Sequence, residues 1–278
     1  MATLPNSLIC AAAALLIYAG FGLPLALRVA PRPLALFLAP ALGWAAHSVL
    51  ALPLFFFVGL SQTSVALAMA APLLLALAVL VMDKAWRGEA MLDRVTLLAL
   101  GLALLLCFIV MAAVLPKATA DGVALAGPIF DHSKVAMIDE MARLGVPPGN
   151  PFFGGEGMPA HLSYYYLWHF SAAEWAVLAG VSGWEADAAL SFFTAFASLG
   201  AMAGFAVWLS GRSSAALWAV ALAATASMRP PIYAVFGVFR AEEYIGYQSG
   251  FGGWLFQASW APQHIASATA ALLSIFIL

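Results

Sequence analysis

A carboxylate followed at once by an imidazole and, two residues on, an ammonium (Asp131-His132-Ser133-Lys134) is the strongest chemical grouping in this chain. Asp131 with His132 could act as a general base or ligate a metal. The same Asp131 opens a short amphipathic helix over residues 131–144, where a carboxylate also serves as the N-cap. The two roles are compatible. Along that helix Val135, Ile138 and Met141 fall on one side, and Lys134, Asp139, Glu140 and Arg143 are polar. Asp139 and Arg143 stand one turn apart and can pair, and Gly145 before Pro147-Pro148 ends the helix. The glycine- and proline-rich stretch 149–157 reads as a loop, either a close approach to a ligand or a plain connector.

Two further clusters carry polar chemistry. In Ser163-Tyr164-Tyr165-Tyr166-Leu167-Trp168-His169, a helix starting by His161 would put His161, Tyr165 and His169 on one face. Two histidines eight residues apart are too distant for one metal unaided, and the tyrosines also suit anchoring at a membrane interface. Further on, Arg240 could meet a phosphate, Glu242 or Glu243 could supply a second carboxylate, and His264 opens the next apolar run. The alternative for this third cluster is a solvated loop with a tryptophan belt. No zinc signature, phosphate-cradling loop or ordered Ser-His-Asp pattern is present, so a divalent metal is left open as a cofactor.

These residues sit in a chain that is 64% hydrophobic and only 9% charged. A soluble domain carries roughly 25% charged residues, so only a bilayer can hide this much apolar surface. The formal charge of -2 speaks against a nucleic-acid partner. Cys10 and Cys107 both lie inside apolar runs and read as buried thiols.

The elements that must position the polar residues are apolar helices. Spans are expected at about 7–29, 34–60, 64–82, 95–115, 186–209 and 215–228, with a seventh starting near 265 and cut short by the chain end. The short last run suggests the N-terminal part of a longer protein. The expected fold is an all-α polytopic transmembrane bundle of about seven spans, with amphipathic surface helices on an extracytoplasmic loop. Its divisions are 1–116 (N-terminal spans), 117–184 (first outer loop) and 185–278 (further spans), with a second outer loop at 229–264.

Basic residues in short links set the orientation. With Arg28, Arg32, Lys84, Arg87 and Arg94 inside, both polar loops lie outside. Residues 163–180 then form an interfacial or half-inserted helix, since crossing would place Arg212 outside and His169 and Glu174 in hydrocarbon. Ten acids and five basic residues fall on the outer side, six basic residues and three acids on the inner.

The ordered pattern of Asp131, a short helix, Gly145-Val146-Pro147-Pro148, Gly154-Gly155, Tyr164-Tyr165-Tyr166, Gly180-Val181-Ser182 and Gly211-Arg212 resembles the first outer loop of the GT-C superfamily of polytopic glycosyltransferases. Its tyrosine triplet is similar to that of the bacterial and archaeal "YYY" membrane proteins. The likeness covers about residues 131–231, roughly a third of the chain. It implies a catalytic base at Asp131, helices lying on the membrane surface, and a sugar donor carried on polyprenyl phosphate or pyrophosphate. His132 stands where many relatives have a second acid, and three spans come before the one leading into the loop, whereas the simplest members begin with one.

The expected function is therefore sugar transfer from a lipid-linked donor, at the outer face of the plasma (inner) membrane. Asp131 and His132 are the catalytic candidates. Lys134, Tyr164, Tyr165, His169, Arg240, Glu242, Glu243 and His264 are the candidates for substrate binding. Membrane lipid and the lipid-linked donor are the expected partners, with the oligomeric state open. The alternatives are a lipid or sugar transporter or flippase, and a non-catalytic assembly subunit.

Overall fold

The computed structural model describes residues 3–83, 92–125, 132–155, 158–225 and 253–278. Ten helices lie among them: α1 (Leu4–Val29), α2 (Arg32–Val58), α3 (Gln62–Asp83), α4 (Arg94–Val114), α5 (His132–Leu144), α6 (Leu167–Ala179), α7 (Gly183–Ser210), α8 (Ser214–Thr225), α9 (Trp254–Trp260) and α10 (Pro262–Ile277). Two small antiparallel hairpins complete the described chain. They are β1 (Lys117–Thr119) with β2 (Gly122–Ala124), and β3 (Gly149–Gly155) with β4 (Met158–His161).

Five helices, α1, α2, α3, α4 and α7, are long and apolar enough to cross a membrane. At 1.5 Å per residue even a 21-residue helix reaches about 32 Å, enough for a hydrocarbon core of about 30 Å. The chain is a membrane protein of all-α build. Five candidate spans, rather than seven, are present among the described residues. The expected span at 215–228 appears as the 12-residue α8, beyond which residues 226–252 are outside the described set. The last expected span is the 16-residue α10, whose start is set by Pro262 at its first turn.

Helix α7 is the axis of the bundle: 72% of its most apolar window is buried, against 22–39% for the other spans. Its N-terminus is a capping box, with Ser182 accepting from the Glu185 amide while the Glu185 carboxylate takes the Ser182 N–H. The Glu185 carboxylate also accepts from the Thr3 amide (2.9 Å) and the Asn6 side chain (2.9 Å), tying the start of α1 to the start of α7. Helices α1 and α2 cross where Gly22 and Gly43 each meet the partner's backbone so closely that a Cβ at either would collide with a carbonyl, of Ala39 and Tyr18 respectively.

Helix α5 forms as expected, and buries Val135, Met137, Ile138 and Met141. Its polar face is wired differently from the expected Asp139–Arg143 pair. Arg143 pairs with Glu140 at 2.7 Å, whereas Asp139 accepts the Gly183 N–H at 2.8 Å, at the N-terminus of α7. The helix-start amide and its dipole offer Asp139 more than an exposed guanidinium does. Gly183 permits the approach, because a Cβ there would lie 2.5 Å from Asp139 Oδ1.

The stretch 149–157 was expected to be a loop; most of it is instead strand β3. Asn150 accepts from the amides of Phe152 and Phe153, and a short exposed ribbon tolerates Pro151 and its glycines.

Candidate functional site

Helix α6 brings the polar side chains together. It begins at Leu167 and ends at Gly180, whose φ of +65° is the left-handed cap that glycine adopts freely. Thirteen residues span about 20 Å, too short to cross. Trp168 and Trp175, two turns apart on one face, donate to Thr194 of α7 (2.9 Å) and to the Tyr18 hydroxyl of α1 (3.2 Å). Ser171 accepts from the Trp44 indole (3.0 Å) and meets Ser48 (2.9 Å), both on α2. Every residue from Trp168 to Ala176 is buried, so α6 is a wedge inside the bundle. Because α6 starts after Tyr166, the expected shared face breaks up: His161 closes β4, Tyr165 precedes the helix, and His169 alone lies on it.

A buried polar cluster forms where α5, α6, α7 and α9 converge. The Lys134 ammonium, on the first turn of α5, lies 3.4 Å from Asp187 Oδ1 of α7 and donates to the Ser259 carbonyl of α9 at 3.1 Å. Lys134 is 3% exposed and Asp187 fully buried, so this is an interior ion pair and not a surface lysine. The imidazole of His169 is also fully buried, and neither ring nitrogen has a hydrogen-bond partner among the described residues. Burial first, then the charge of Lys134, lowers its pKa to about 3, so the ring is neutral.

The tyrosines lead from this cluster to the surface. Tyr164 stacks on Tyr165 with ring centroids 4.0 Å apart, and meets the His169 ring edge-to-face with centroids 5.9 Å apart. The Tyr165 hydroxyl and His264 Nε2 are hydrogen-bonded at 3.0 Å, joining the segment before α6 to the start of α10. Burial pushes the Tyr164 hydroxyl up to about 12, with Tyr165 adding to the rise and Gln263 opposing it. Of the sequence candidates, the structure thus gathers Lys134 with His169, and Tyr164 and Tyr165 with His264. Asp131, Arg240, Glu242 and Glu243 lie outside the described residues, and of His132 only its place at the start of α5 is described. No group of three metal-ligating side chains occurs among the described residues.

Sequence reasoning missed the second polar centre. His47 Nε2 of α2 lies 2.8 Å from Glu174 Oε1 of α6, with side chains 2% and 0% exposed. Burial pushes the Glu174 carboxyl up, and His47 opposes the rise. His47 stacks on Phe21, with centroids 5.4 Å apart. A lone histidine in an apolar run gives no periodic signal. In the sequence Glu174 reads only as a charge to be kept out of hydrocarbon, since its partner lies 127 positions away on α2. Asp187 carries no signal of a buried partner in the sequence, and Ser259 falls within the expected outer loop 229–264.

No known protein-family pattern and no solved structure matches the chain. Over 173 residues, 62% of its length, the chain is 40% identical to an uncharacterised protein, y4nK, from Sinorhizobium fredii (strain NBRC 101917 / NGR234). That stretch is 26% of the relative, so the chain spans about a quarter of the length of the curated relative it matches.

Proposed function

We propose that this chain acts as a plasma-membrane glycosyltransferase of the GT-C kind. It moves a sugar from a polyprenyl-phosphate donor to an acceptor at the extracytoplasmic face, with Asp131 as base. The observation that supports the reading is the interior anchoring of Lys134. In the sequence Asp131 immediately precedes α5, whose first turn is pinned to α7 and α9 through Lys134. Proximity catalysis requires a base beside a rigid element, and the pinned first turn of α5 supplies that element.

In this mechanism the acceptor oxygen attacks the anomeric carbon. The bond from that carbon to the donor phosphate breaks with its electrons leaving on the phosphate, and Asp131 takes the acceptor proton. A single displacement inverts the anomeric centre. Lys134 already spends its charge on Asp187, so it positions α5, while the departing phosphate falls to Arg240 and to the Tyr165–His264 pair. The neutral, fully buried His169 ring keeps one donor and one acceptor that are unused among the described residues. Asp131→Asn in a folded, membrane-inserted protein abolishes sugar transfer from a polyprenyl-phosphate sugar; wild-type turnover in that variant overturns the reading.

A lipid or sugar transporter is the second reading, and the buried His47–Glu174 pair favours it. Ionisable pairs between membrane helices commonly mark transport or proton pathways. Uptake of labelled substrate into proteoliposomes with no covalent product selects transport over transfer.

A further inference from the structure

At the other side of the bundle α3 leans against α1 and α6 and leaves an open groove between itself and α2. Its volume is about 660 Å3, within the roughly 300–1,000 Å3 of ligand cavities. Apolar side chains such as Leu50, Leu54, Leu67 and Leu75 make its walls. It follows α3 from Ser64 to Val79, about 22 Å at 1.5 Å per residue. All three helices that line it are long and apolar enough to cross a membrane, so a bilayer around them would set acyl chains beside the groove.

One end of the groove is charged. Arg28, which lines it, pairs with Asp83 at 3.2 Å, and the two side chains remain 63% and 49% exposed. The guanidinium presents five donors, of which Asp83 takes one, and the carboxylate keeps acceptor capacity. An apolar channel ending in an exposed cation beside an exposed anion complements a molecule with a chain, a phosphate and a protonated amine. A purely anionic headgroup would meet Asp83 as a repulsive neighbour, and a quaternary ammonium could not donate to it.

We infer that this groove binds one phosphatidylethanolamine molecule, with an acyl chain along α2 and α3, its phosphate on Arg28 and its ammonium on Asp83. Arg28 closes α1, whereas the Lys134 cluster gathers beside the opening turns of α7, to which the start of α1 is tied. The lipid site is therefore independent of the proposed transfer chemistry.

The test is native mass spectrometry and thermal unfolding of the whole chain, with phosphatidylethanolamine, phosphatidylglycerol, phosphatidylcholine and a polyprenyl phosphate offered separately. Phosphatidylethanolamine should be retained one to one and about tenfold more tightly than the other lipids, the equivalent of about 1.4 kcal/mol. Asp83→Asn should erase the preference for ethanolamine over choline while leaving the chain bound. Arg28→Gln should weaken both. Neither change threatens folding, since an exposed ion pair contributes about 0–1 kcal/mol. Ala71→Phe, at an exposed groove residue, should block retention of every lipid. Equal binding of all lipids, a preference for phosphatidylglycerol or polyprenyl phosphate, or retention unchanged in Ala71→Phe overturns the inference.

Discussion

The Lys134 ammonium and the Asp187 carboxylate lie 3.4 Å apart inside the protein, and the same ammonium also reaches the Ser259 carbonyl. One side chain thus joins three helices, α5, α7 and α9. Removing one partner of a buried ion pair leaves the other charge uncompensated and costs about 3–5 kcal/mol, whereas replacing both by apolar groups is often close to neutral. Lys134→Met should therefore lower the unfolding temperature sharply in detergent, and Lys134→Met with Asp187→Leu should recover most of the loss. A double variant no better than the single one would show that the pair is not the source of the effect.

The buried His169 ring carries a linkage prediction. Its folded pKa of about 3 lies below the ordinary value of about 6.5. The unfolded chain takes up this proton as pH falls through 6.5, and the folded protein does not. Its contribution is thus complete above pH 6.5 and is lost as pH drops toward 3, at no more than about 1.4 kcal/mol per pH unit. Thermal unfolding at pH 7 and pH 5 should show that decline, and His169→Gln should be visibly flatter over the same interval.

Glu174 has the opposite sign. Its carboxyl is raised by burial, so the folded state holds a proton that the unfolded chain releases near the ordinary value of about 4.3. That stabilisation is present below the unfolded pKa and is lost as pH rises through the folded one. Glu174→Gln keeps the shape and a bond to His47, so it should stay within about 1 kcal/mol of wild type and flatten the pH response. Glu174→Ala, which leaves a cavity beside His47, should be clearly worse.

The α1–α2 crossing depends on two absent side chains. Gly43→Leu would drive carbon into the backbone of α1 beside Tyr18, and forced overpacking of this kind costs about 1–3 kcal/mol or more. The expected readout is a lower unfolding temperature, whereas Gly101→Leu on α4, where a Cβ meets no neighbour within 4 Å, should change little.

Hydropathy made the long spans legible, and the alternation of Val135, Ile138 and Met141 made α5 legible. The shortness of residues 163–180 and the presence of His169 and Glu174 set this segment apart from the long spans, and α6 is indeed only 13 residues long. Its depth of burial was not legible. Ser171 and Glu174 are satisfied inside by Trp44, His47 and Ser48 of α2, and such meetings are tertiary. The strand β3 escaped for a related reason: its glycines and Pro151 carry turn signals, and only the pairing with β4 makes it extended. Lys134 was singled out for its type, but nothing local distinguishes a lysine at the surface from one folded against an aspartate 53 positions later.

The knot of bonds at Glu185 has a consequence for biosynthesis. Thr3 and Asn6 emerge early, but the carboxylate that accepts their hydrogen bonds is 179 to 182 positions further along. While the first four long helices are being inserted, the leading turn has no final seat. Closure of the bundle therefore waits for the seventh helix to arrive, and a ribosome stalled before that point would hold an insertion-competent but unlatched intermediate.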